Sequence, residues 1–183
     1  MWRESAREGG GIIGDLGYHG IYLASRIFRQ APLSVRATAS RMAAPEEEDG
    51  VEHVASLDLN YGNGRQAELT LSWLSDRRET TLDIYGSRGS LRISGDTLSL
   101  NIHGRNAERM QFESLIADSW HSAWTSATLD WFLDLLSSGA RGEAWQEIAW
   151  TVSALDAAYT SVATGGVIAT ATQVADHPPI HGR

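Results

Sequence analysis

Four things are missing from this 183-residue chain, and each closes off a class of chemistry. There is no cysteine, which removes disulfides and thiolate metal sites. There is no lysine either, since all 15 Lys or Arg positions are arginine, so the chain supplies no Schiff base and no ammonium acid or base. No apolar run approaches the roughly 20 residues that span a bilayer, and the charged opening, Met1 to Glu8, does not read as a signal peptide. A basic patch is absent as well. With a formal net charge of −8, a phosphate-rich nucleic-acid partner is not expected. These absences predict a cytoplasmic protein with no membrane or nucleic-acid partner and no bound metal.

What is present is an ordinary globular balance, 42% hydrophobic and 21% charged, long enough for a core without staples. Three textures follow one another. From Ile12 to Gln30 the apolar residues Ile13, Leu16, Ile21, Leu23, Ala24, Ile27 and Phe28 recur at helical steps, and Pro32 prevents continuation. From Pro32 to His103 the pattern alternates. Val35, Ala37 and Ala39 share one face, as do Ala55, Leu57, Leu59 and Tyr61, and then Ala67, Leu69, Leu71 and Trp73. Asn63-Gly64 predicts a tight hairpin turn between the second and third runs. Three further strands, starting at Thr80, Ser90 and Thr97, extend what reads as a single antiparallel meander.

Two helices are expected to cover it. Trp120, Trp124, Ala127, Trp131 and Leu135 form a stripe in 119–138. Trp145, Ile148, Val152, Leu155 and Tyr159 form another from Glu143 to the Gly165-Gly166 stop. The expected class is therefore α+β: a mostly antiparallel open sheet with helices on one face. Residues 1–176 read as one domain, and 177–183, with Pro178-Pro179 between His177 and His181, as a flexible tail. The acidic run Glu46 to Asp49 reads as a solvated loop.

Gly9-Gly10-Gly11-Ile12-Ile13-Gly14 satisfies the letters of a dinucleotide fingerprint, G-x-G-x-x-G. The context does not fit, because Met1 to Glu8 cannot be a buried parallel strand and no βαβ crossover follows. A Rossmann domain is not legible in these residues. Read further, the segment places Asp15 and His19 four residues apart, on one helical face. Such a pair allows the carboxylate to orient an imidazole that exchanges a proton with a substrate hydroxyl. The plainer alternative is a helix-capping Asp15 and a partly buried His19. Gly17 between them would leave room for a ligand. Tyr18 and Tyr22, one turn apart beside the pair, are candidates for substrate contact.

Residues 2–28, WRESAREGGGIIGDLGYHGIYLASRIF, resemble the start of the C-terminal domain of the glucose–fructose oxidoreductase / inositol dehydrogenase / MocA (Gfo/Idh/MocA) family, with its glycine-rich turn and D-x-G-x-H helix. LNYGNGRQAELTLSW, LDIYGSRGSLRI, DWFLDLLSSG and ALDAAYTSVATGGVI follow in the family's order, so the resemblance runs from Trp2 to Ile168. It implies the substrate-binding and oligomerisation half of an NAD(P)-dependent dehydrogenase acting on a sugar, inositol or related polyol. It implies His19 in proton transfer, Asp15 in support, and a homo-oligomer built through the sheet face. The NAD or NADP, and a catalytic lysine in an E-K-P segment, would come from a nucleotide-binding domain. An alternative is a stand-alone, non-redox protein of the same fold.

Overall fold

The computed structural model describes residues 3, 5, 9–41, 50–76, 79–112, 122–138 and 141–170, with the backbone alone at 122–124 and 141–144. Trp120, His121, the Glu46 to Asp49 run and the 177–183 tail lie outside the described residues, as does the Trp124 side chain. The chain forms two compact units, 1–74 with 139–183, and 75–138.

In the first unit a π-helical turn, Ile13–Gly17, runs directly into α1, Tyr18–Phe28. The predicted helix thus ends two residues before Gln30. Arg29 adopts a left-handed conformation (φ 55°), and its N–H caps the Ser25 carbonyl, so the helix stops ahead of the proline. Strands β1 (Ser34–Ser40), β2 (Val54–Gly62) and β3 (Arg65–Ser72) pair antiparallel as expected. Asn63 and Gly64 form the turn between β2 and β3, both at positive φ (53° and 72°). The alternation translates directly into burial: Val35, Ala37, Ala55, Leu57, Leu59 and Tyr61 lie in the core. Arg36, Thr38, Asp58, Asn60, Glu68 and Thr70 point to the exposed face.

This sheet is covered by α1 and by α3, Arg141–Thr164. The face α3 turns inward is not the expected one. Thr151, Ala154, Ala157, Ala158 and Ser161 are buried, whereas Trp145 is 69% exposed and Ile148 and Val152 are exposed too. Small side chains let the helix axis approach β1 closely enough for the Ala37 N–H to donate to Ser161 Oγ at 2.8 Å, where the larger stripe would hold it off. A short β8, Ile168–Ala169, then pairs with the other edge of β1, giving the order β3-β2-β1-β8.

The second unit corrects the single-meander expectation. Strands β4 (Thr81–Gly86), β5 (Gly89–Ser94), β6 (Thr97–Ile102) and β7 (Glu108–Gln111) form their own antiparallel sheet in sequential order. Alternation along a strand states which residues share a face, not which edge the strand joins, so the division between Ser72 and Thr81 left no signature. Helix α2, Ser122–Ser138, forms where its period predicts, yet its described stripe is not buried: Trp131 is 51% exposed, and Leu129, Phe132 and Leu133 are exposed with it. The α+β class stands, with two open sheets in place of one. No helix among the described residues is long and apolar enough to cross a membrane.

Candidate functional site

The expected site residues fall at the start of the first helix: Asp15 on the π-helical turn, a feature that often marks functional positions, and Tyr18, His19 and Tyr22 on the first half of α1. Asp15 lies within that turn. Its carboxylate accepts from Arg3 Nε at 2.8 Å, and its side chain is only 14% exposed. It makes no capping bond, so the helix-capping alternative is not what the fold uses. His19 sits in the first turn of α1, exposed rather than partly buried, with its ring centroid 4.1 Å from that of Tyr18, which is 44% exposed. The Tyr22 hydroxyl is engaged elsewhere. It donates to Glu147 Oε2 at 3.2 Å on α3 and accepts from Arg26 Nη1 at 3.1 Å, while Arg26 also pairs with Glu147 at 3.6 Å. Those bonds fasten α1 to α3. The hydrogen bond that Arg26 donates to Tyr22, with the charges of Tyr22 and Glu147, pushes the Arg26 guanidinium above its ordinary range.

Gly17 has a different task from the one its position suggested. A Cβ there would lie 3.3 Å from Leu71 Cδ1, and one at Gly20 would lie 2.9 Å from Leu69 Cδ1. Both glycines let the helix settle on β3 rather than opening a path for a ligand.

The glycine run ahead of the helix is occupied by the chain itself. Gly9 and Gly11 adopt positive φ (75° and 112°), which L side chains rarely tolerate. Gly10 N donates to Ser5 O at 2.9 Å and Gly11 N to Arg3 O at 2.9 Å. Ile12 N donates to Glu52 O at 3.1 Å, and Ile13 N to Glu52 Oε1 at 3.1 Å. The Tyr159 hydroxyl lies close against Gly14, and Asp15 N donates to Gly11 O at 3.0 Å. The amides of Gly10, Gly11, Ile12, Ile13 and Asp15 are thus satisfied internally, which leaves the turn without the row of free amides that cradles a pyrophosphate. An open cleft of ≈ 680 Å³ lies alongside, lined among others by Gly9, Gly14, Arg41, Glu52, Leu155 and Tyr159. Asp15 and His19 do not line it. Burial, reinforced by the charge of Glu52, pushes the Tyr159 hydroxyl up to about 12. Among the described residues there is no group of three or more His, Asp or Glu placed to hold a metal ion.

Arg3, Glu52 and Tyr159 were not anticipated from the sequence. Glu52 is 39 residues from the amide it caps and Tyr159 is 107 residues from Glu52, so no local spacing could connect them.

A family profile described as the GFO/IDH/MocA C-terminal domain matches residues 1–92. An oxidoreductase from Agrobacterium radiobacter, solved with NAD+, L-tartaric acid and magnesium, is 25% identical, with a TM-score of 0.68 over 86% of this chain and 48% of its own. GenD2 from gentamicin A biosynthesis, in complex with NAD, shares the fold at 19% identity and TM-score 0.68 over 93% of this chain and 51% of its own. The aldose–aldose oxidoreductase from Caulobacter crescentus, complexed with glycerol, does so at 17% identity and TM-score 0.66, over 88% and 48%. No curated protein matches. The chain therefore spans about half the length of these solved structures, and it belongs to the GFO/IDH/MocA oxidoreductase family, of which it carries the C-terminal domain.

Proposed function

We propose that the chain is the substrate-side and oligomer-forming half of an NAD(P)-dependent dehydrogenase acting on a CH–OH carbon of a sugar, inositol or related polyol. The observation that carries this reading is the D-x-G-x-H segment at the junction of the π-helical turn and α1, with Asp15 anchored by Arg3 and His19 left exposed. When bound, NAD or NADP supplies the hydride acceptor. The chain's own contribution is the proton: His19 takes it from the carbinol hydroxyl as the carbonyl forms and returns it in the reverse direction. Asp15, its orientation fixed by Arg3, aligns the hydroxyl and the imidazole. Tyr18, packed on His19, is the tyrosine assigned to substrate contact, because the Tyr22 hydroxyl is committed to Arg26 and Glu147.

The internally bonded glycine turn does not fit the pyrophosphate of a dinucleotide, so we assign the nucleotide mainly to a separate nucleotide-binding domain. That domain would also supply the lysine this chain lacks. The exposed outer face of β1–β3, with Glu68, Thr70 and Ser72, is the surface assigned to self-association. The test is polyol-dependent reduction of NAD or NADP by protein containing this chain together with its nucleotide-binding half. Reduced nicotinamide formed with at least one polyol or sugar is expected. A panel of sugars, inositols and acyclic polyols that yields none contradicts the reading.

A further inference from the structure

The positive-φ glycines of the opening turn have a partner that explains them. A Cβ on Gly11 would fall directly onto the Glu52 carboxylate. Glu52 stands two residues before β2, and it reaches the turn with both its backbone and its side chain. Its carbonyl accepts from Ile12 N, and its Oε1 accepts from Ile13 N, both at 3.1 Å. Tyr159, on α3, donates its hydroxyl toward the same Oε1 at 3.5 Å and lies close against Gly14. The first N–H groups of a helix have no partner within it and carry the positive end of its dipole. Here that end is filled by a carboxylate from the segment leading into β2, where a local Ser, Thr or Asp would ordinarily serve. The contact fixes the turn in two directions at once, along the helix axis through the carboxylate and against β2 through the carbonyl.

We infer that Glu52 is the positioning residue of the opening turn: a carboxylate delivered from the start of β2, admitted by Gly11, that fixes the direction in which the helix carries Asp15 and His19. Asp15 lies two residues beyond the clamped amide of Ile13, so a turn released from Glu52 would carry Asp15 with it. The consequence for catalysis rests on the dehydrogenase reading of Asp15 and His19. The clamp itself does not.

The experiment is amide hydrogen exchange, followed by NMR on this chain without cofactor or substrate, in the parent protein and in Glu52→Ala, Glu52→Gln and Gly11→Ala. Glutamine keeps an oxygen for Ile13 N–H; alanine does not. The Ile13 amide should exchange about 10-fold faster or more in Glu52→Ala and Gly11→Ala, and within about 3-fold of the parent in Glu52→Gln, while the amide of Leu57 in the sheet core is unchanged in all three. Unchanged exchange at Ile13 in Glu52→Ala overturns the inference. Equal acceleration at Ile13 and Leu57 also overturns it, because Glu52 would then be supporting the whole fold. Should Glu52→Ala not fold, Gly11→Ala and Glu52→Gln carry the same comparison.

In protein that includes the nucleotide-binding half, Glu52→Ala should lower kcat about 10-fold with KM little changed, and Glu52→Gln should restore it, the pattern of a group acting only through others. A clamp seen by exchange with no change in kcat removes the positioning role. A parent protein with no turnover counts against the dehydrogenase reading instead and leaves the exchange result standing.

Discussion

The two sheets carry the same alternation and reach different ends. In β1–β3 every second residue goes into a core closed by α1 and α3, and Leu57, Leu59 and Tyr61 are almost wholly removed from water. In β4–β7 the residues Leu82, Ile84, Leu91, Ile93, Leu98 and Leu100 alternate as cleanly, yet no described side chain of 75–138 is fully buried. Strand pattern is therefore only half of a core. The other half is a covering helix whose inner face is small enough to come close, which α3 supplies with Ala154, Ala158 and Ser161.

That contrast can be broken by mutation. Leu57→Ala should cost about 2–5 kcal/mol, the usual range for emptying a closed core site. Ile93→Ala, at a half-buried position, should cost about 1 kcal/mol or less. Denaturant unfolding of both variants checks this, and equal losses would show the second sheet to be as tightly closed as the first.

The two faces of α3 sharpen the point. Ser161→Val removes the acceptor of the Ala37 N–H and should cost about 1–3 kcal/mol, the penalty of an unmet buried amide. Trp145→Ala, on the outward stripe, should stay within about 0.5 kcal/mol despite the much larger side chain removed. A reversed order would mean that the tryptophan stripe faces the core after all.

A pH-dependent effect concerns Tyr159. Its hydroxyl is raised from an ordinary 10.0 to about 12, so between those values the folded chain holds a proton that the unfolded chain has lost. Stability from this group is intact below about pH 10 and declines as pH rises toward 12. Tyr159→Phe should flatten that part of the stability profile, and an unaltered slope would place the titrating group elsewhere.

Much of this was legible in the residues. Asn63-Gly64 declared its turn because both positions need positive φ, and the alternating runs declared their faces because a pleat admits only two. The D-x-G-x-H spacing marked the position of Asp15 and His19 on one short helical segment. The lining of that segment was not legible. Arg3, Glu52 and Tyr159 converge on it from three distant parts of the chain, through contacts that close only once β2 and α3 are in place. Nor could the inward face of α3 be chosen by hydrophobicity, because the tightest packing there is made by alanine and serine, which score as weakly apolar or polar. Gly17 was misread for a related reason: a glycine beside a candidate site and a glycine under a helix look alike until Leu71 is seen against it.

In the proposed reaction His19 is the group that moves the proton. Its most direct test is the turnover of His19→Ala, in protein that includes the nucleotide-binding half, with the best polyol and nicotinamide cofactor found for the parent. A fall of about 10²-fold or more, as removal of a general acid–base produces, is predicted. Turnover equal to that of the parent would contradict it.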